Sequence, residues 1–151
     1  MIELSIIIKK FENEFSSLKK TQYNSCFDYN SNNILFSSVA KSHFNKENIT
    51  DRYGIYVIRK KTTKEVLYIG KSGTITNNGK YKGQDILGRL TNIRGKTPSN
   101  IWFSYLIDKY GAISVDYCYL PVSKSPTLME SLLLQSYLNE FGCLPPENKT
   151  F

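Results

Sequence analysis

Residues 54–70 read "GIYVIRKKTTKEVLYIG", two apolar runs separated by a basic loop. β-Branched and aromatic residues in runs of this length predict the two strands of a hairpin. A register with Tyr56 facing Tyr68 sets Ile58 against Val66, Val57 against Leu67, Arg59 against Glu65 and Gly54 against Gly70. Opposite charges and β-branched neighbours across such a ladder contribute about 0.2–1 kcal/mol each. Both phenols then leave one face of the sheet, and the glycines leave room beside them.

Downstream, "KSGTITNNGKYKGQ" at 71–84 is rich in Gly, Asn and Lys and predicts a loop. Asp85 is placed to cap a helix carrying Ile86, Leu87, Leu90 and Ile93 and stopping near Gly95. Asn100 caps a second helix over 101–110, with Gly111 as its terminator. Residues 113–122 alternate as a strand, and 127–141 form the clearest helix. Upstream, Leu4, Ile7, Ile8, Phe11, Phe15 and Leu18 recur at helical spacing over 3–20. Residues 21–33 are polar and read as loop, and 34–44 predict a short helix. The order is that of an α+β domain with a small, largely antiparallel sheet. Residues 1–50 form a helical accessory segment and residues 51–151 the main domain.

At 151 residues the chain is long enough for one hydrophobic core without staples. Its net charge is +7, and residues 51–100 hold eleven Lys/Arg against three Asp/Glu, whereas residues 1–50 hold six against five and residues 101–151 three against five. The excess thus lies in the segment with the hairpin, as a phosphate-backbone partner requires, although a solvated lysine-rich surface has the same composition. No apolar run approaches the roughly 20 residues of a membrane helix. Cys26, Cys118 and Cys143 show no paired spacing and read as buried thiols in a reducing cytoplasm.

Several side chains invite chemistry. "GKS" at 70–72 is not a phosphate loop, because Glu65 stands where that motif needs its first glycine. His43 is the sole histidine and reads as an ordinary helix residue. Glu130 falls among Leu133, Leu134, Tyr137 and Phe141, and a carboxylate on an apolar arc needs a partner. Two readings of it stay open: a capping box begun by Thr127, or a metal ligand. Arg89 follows a loop carrying Lys71, Lys80 and Lys82, which suits a phosphate, although a surface ion pair is the ordinary role of an arginine. A tyrosine pair on a sheet is usually core.

Taken together, "GIY" at 54–56, "YIG" at 68–70, the arginine on the next helix, the late glutamate and an Asn after "LPPE" resemble the GIY-YIG nuclease family. The likeness covers roughly residues 53–151. It implies a three-stranded antiparallel sheet between helices and metal-dependent hydrolysis of phosphodiesters in DNA. By that resemblance Tyr56 activates or orients the attacking water and Tyr68 helps to position it. Lys71 contacts the phosphate or depresses a tyrosine pKa, and Arg89 holds the scissile phosphate. Glu130 is the single carboxylate ligand of one Mg²⁺ or Mn²⁺ ion, and Asn148 steadies the substrate end of the site. Lys71, Lys80, Lys82, Arg89 and Arg94 would bind nucleic acid.

The sequence departs from the family pattern in a long insertion between Lys71 and Arg89, and in Ile93 where some members carry histidine or tyrosine. The general base is therefore Tyr56 or Tyr81. A restriction role would predict a homodimer on a palindrome. A catalytically inactive nucleic-acid-binding module of the same fold is the alternative expectation.

Overall fold

The computed structural model of the chain describes residues 25–47, 49 and 51–151. The helix expected over 3–20 lies outside the described residues. In chain order the elements are β1 (Ser25–Tyr29), α1 (Phe36–Phe44), β2 (Gly54–Lys60), β3 (Val66–Ser72), β4 (Thr74–Ile75) and β5 (Tyr81–Lys82), then α2 (Ile86–Thr91), α3 (Ser99–Tyr110), β6 (Ile113–Tyr119) and α4 (Pro126–Phe141). The fold is α+β. Its main sheet is antiparallel and four-stranded in the order β1-β6-β2-β3, and β4 and β5 form a separate two-stranded ribbon.

The resemblance implies three strands, and the fourth comes from a stretch read as loop. In "SCFDY", Phe27 and Tyr29 are buried while Cys26 and Asp28 are exposed, the period of a half-buried strand. The Asn- and Ser-rich flanks hide that alternation. β1 pairs with β6, so residues 25–29 of the expected accessory segment complete the main sheet.

Alternation along β2 assigns the two cores. Tyr56 and Ile58 join Phe27, Val115 and Tyr117 under Phe36, Phe44, Leu90 and Phe103 of α1, α2 and α3. Ile55 and Val57, with Ile69, meet Met129, Leu133 and Leu134 of α4 on the opposite face. The sheet is thus covered by helices on both sides, and β3 is its outer strand beside the site.

The hairpin register differs from the expected one by two residues. Tyr56 lies opposite Gly70, Ile58 opposite Tyr68 and Gly54 opposite Ser72, with an irregularity between Ile58 and Arg59. A shift of two preserves the face, so both phenols still share it, now as diagonal neighbours with ring centroids 6.0 Å apart. Gly70 sets this register. A Cβ there would sit 2.5 Å from Tyr56 Cζ and 2.7 Å from Tyr68 Cε1. Arg59 consequently pairs with Asp116 on β6, at 2.8 Å, and not with Glu65. Gly54 is equally constrained, because a Cβ would lie 1.9 Å from the Cys118 carbonyl oxygen.

Asp85 caps α2 as expected, accepting from the Gly88 N–H at 2.8 Å, but the helix stops at Thr91, short of Gly95. Asn100 is not a cap. It lies inside α3 and binds α1, accepting from Ser37 N at 2.9 Å and donating to Ser37 Oγ at 3.0 Å. Ser125 caps α4, with Pro126 taking the first helical position. The helix thus starts before Thr127, which removes the expected capping box and leaves Glu130 in the second turn. The cysteines also differ from expectation: Cys26 and Cys143 are exposed and Cys118 is half-buried. Among the described residues no helix is long and apolar enough to cross a membrane.

Candidate active site

A cleft of about 410 Å³ opens at the outer edge of β3, and its lining includes Tyr68, Lys71, Lys82, Arg89, Glu130 and Asn148. The topology explains the gathering. Tyr68 packs against the core under α1–α3, the side that carries α2 and Arg89. Lys71 pairs with Ile55, whose side chain belongs to the α4 core, the side that carries Glu130. One phenol and one cation from one face therefore meet one cation and one carboxylate from the other around a strand edge.

Neither charged group of the central pair is consumed by the fold. Glu130 is half-buried, and its carboxylate forms no hydrogen bond or ion pair with any described residue. Burial pushes its pKa up, opposed by the charges of Lys71 and Arg89, which are close enough to act on it. The Arg89 guanidinium likewise forms no hydrogen bond or ion pair with a described residue. Lys71 turns its ammonium to the Gly73 carbonyl at 3.4 Å. Among the described residues no cluster of three or more His, Cys, Asp or Glu is placed to hold a metal ion. A single carboxylate in an open cleft nevertheless fits Mg²⁺, which keeps most of its waters and takes few protein ligands.

The other expected residues take different places. Tyr56 is fully buried and outside the cleft lining, because Gly70 lets its ring lie flat under β3. Its hydroxyl accepts a hydrogen bond from Arg94 Nη1 at 3.1 Å. Arg94, expected on the nucleic acid, is enclosed instead, 4.6 Å from the Tyr68 ring and 4.1 Å from the Trp102 ring. Tyr81, the other candidate base, donates to the Leu120 carbonyl and stacks on Tyr53 at 4.5 Å. Asn148 lines the cleft but spends its amide on β3, accepting from Ile69 N and donating to Ile69 O, both at 2.9 Å. It latches the C-terminal segment to the outer strand.

Cations do not depress the tyrosine of the cleft. Tyr68 is pushed up to about 12 by burial and the neighbouring Tyr56, against the lowering effect of Arg94 and Arg89. At neutral pH it is a phenol, able to donate one hydrogen bond and accept another. Sequence reading missed Trp102, whose indole meets Tyr68 edge-on at 5.4 Å and closes the other side of Arg94. Its one signal is that it is the only tryptophan. A larger groove of about 610 Å³ lies between the β2–β3 turn and the end of α4, lined by Val57, Leu133, Tyr137 and Phe141. It is mainly apolar and its arginine, Arg59, is already paired with Asp116. Comparison of the chain with family models, curated proteins and solved structures returns no match.

Proposed function

We propose that the chain is a metal-dependent endonuclease of the GIY-YIG type that hydrolyses phosphodiester bonds in DNA. One observation carries this reading: Arg89 and Glu130, opposite charges from opposite faces of the sheet, border one cleft and do not pair with each other or with any described residue. Two half-buried charges left in this way are costly unless a ligand completes them. A phosphate beside Arg89 and a cation at Glu130 would do so.

In this reading Arg89 and Lys71 bind the scissile phosphate and stabilise the charge that grows on it in the transition state. Glu130 holds the divalent ion, which supplies further positive charge at the phosphate when bound. Tyr68 orients the attacking water as a neutral phenol. Tyr56 acts at one remove, through Arg94, by fixing the plane of Tyr68. Asn148 keeps the β3 edge in place.

The second reading, a binding module that does not cleave, draws on the burial of Tyr56 and the engagement of Tyr81, which leave neither free as a base. Supercoiled plasmid incubated with and without Mg²⁺ or Mn²⁺ separates the two. The nuclease should nick only with the ion, and Glu130→Ala should lower the rate more than about a hundredfold while DNA is still bound. Absence of ion-dependent nicking by the wild type rejects the enzyme.

A further inference from the structure

The long insertion between Lys71 and Arg89 is not a loose loop. It folds into the ribbon of β4 and β5, in which Thr74 pairs with Lys82 and Ile75 with Tyr81. Four contacts anchor its base. Tyr81 stacks on Tyr53 and donates to the Leu120 carbonyl, Tyr53 donates to the Gly83 carbonyl at 3.3 Å, and Gly73 lies over the Tyr53 ring. The tip is closed on itself, because Thr76 N donates to Lys80 O at 2.8 Å and Gly79 N to Thr76 O at 2.9 Å.

The charge on this projection has one sign. From Val66 to Gln84 there is no Asp or Glu, while Lys71, Lys80 and Lys82 are present. Asn77, Asn78, Gly79 and Lys80 are all exposed at the tip. Asn78 is engaged by the Thr76 hydroxyl, whereas Asn77 makes no hydrogen bond to a described residue. The base of the ribbon, through Thr74, Lys82 and Gly83, is also wall of the cleft that holds Arg89 and Glu130. Whatever the tip grips is therefore held next to that cleft.

We infer that the β4–β5 ribbon enters the major groove of double-stranded DNA, with Lys80 on the backbone and Asn77 at a base edge. A major groove about 12 Å wide admits a two-stranded ribbon, and a side-chain amide pairs in two-point fashion with adenine. The stacked and hydrogen-bonded base gives the ribbon the rigidity that reading bases requires. The inference rests on the nucleic-acid reading of the cleft and adds the duplex as the substrate form.

The test is fluorescence anisotropy of the full chain in EDTA, with a labelled 25-base-pair duplex of mixed sequence, one of its strands alone, and a salt titration of each. Lys80→Glu should weaken duplex binding about tenfold, and Lys80→Gln should lower the slope of log affinity against log salt by about 0.9, the share of one phosphate. Asn77→Ala should broaden the sequences recovered from a random duplex pool without changing the salt slope. Circular dichroism and urea titration show whether each variant is folded. Unchanged duplex affinity and slope in both Lys80 variants overturns the inference, as does tighter binding of the single strand, or no DNA binding by the wild type. The outcomes also divide from those of the nuclease proposal. Binding through the ribbon without ion-dependent nicking rejects the enzyme and keeps the ribbon, and nicking with ribbon-independent binding does the reverse.

Discussion

Glu47 and Glu130 are both half-buried carboxylates, and the fold treats them in opposite ways. Glu47 accepts hydrogen bonds from the Tyr117 and Tyr119 hydroxyls and lies 3.9 Å from His43 Nε2. Glu147 is handled like Glu47, receiving the Tyr105 and Tyr110 hydroxyls and the Lys109 ammonium at 3.3 Å. Glu130 receives nothing from the described residues. At both Glu47 and Glu147 phenols supply hydrogen bonds. Where a carboxylate stands without a hydrogen bond between Lys71 and Arg89, those two charges offset its burial only in part, and an external ligand is the natural completion.

The strongest way to break that comparison is to delete both carboxylates in turn. Glu47→Ala removes the acceptor of the Tyr119 hydroxyl and one partner of Tyr117, and should cost about 1–3 kcal/mol in urea unfolding, the cost of an unsatisfied buried donor. Glu130→Ala removes a desolvated charge with no donor to abandon and should leave stability unchanged or slightly higher. Plasmid nicking should show the inverse order, lost with Glu130 and reduced in the Glu47 variant only as far as folding is. Equal destabilisation by the two substitutions would mean that Glu130 has a structural partner after all.

A second, smaller effect sharpens the difference between the two arginines of the region. The Arg89 guanidinium has no hydrogen bond to a described residue, whereas that of Arg94 lies between Tyr68 and Trp102 and holds Tyr56. Arg94→Ala should cost about 1–2 kcal/mol of stability, from a lost hydrogen bond to a buried phenol and two cation–π contacts. It should also slow nicking severalfold by freeing the Tyr68 ring, yet leave duplex affinity within about twofold. Arg94→Lys should not restore the rate, because an ammonium cannot stack as a plane between two rings. A large loss of DNA affinity in these variants would return Arg94 to the phosphate backbone.

Much of this arrangement was legible in the sequence, and what was not has specific physical reasons. The hairpin, the Asp85 cap and the α4 helix follow from local patterns, whereas the approach of Tyr68, Lys71, Arg89 and Glu130 was implied only by the family resemblance. The register did not follow, because cross-strand pair preferences of a few tenths of a kcal/mol were set against the steric demand of Tyr56 for Gly70, which only the packed ring reveals. β1 was hidden because five residues of alternation sit between polar flanks. The roles of Arg94 and Tyr81 are contacts across 38 and 39 residues of sequence, and no local rule reaches that far. The ribbon was read as loop because its strands are two residues long and its stability comes from the Tyr53–Tyr81 stack.

The smallest effect is a pH dependence from the Glu47 side of the comparison. His43 stacks on Phe27 at 4.9 Å, with its Nε2 2.7 Å from the Tyr117 hydroxyl. Burial lowers its pKa below the ordinary 6.5, with Glu47 opposing and Lys46 reinforcing the shift. The unfolded chain therefore takes up the proton first as pH falls. The contribution of His43 to stability is complete above about pH 6.5, declines as pH drops through that value and is fully lost once pH lies below the native pKa. Urea midpoints of wild type and His43→Gln, compared from about pH 7 to about pH 5, isolate this contribution, because the other titrating groups are common to both. The wild type should lose more stability than the variant over that range. A variant that loses as much would show that the imidazole titrates alike in the folded and unfolded chains, and that Glu47 fully offsets its burial.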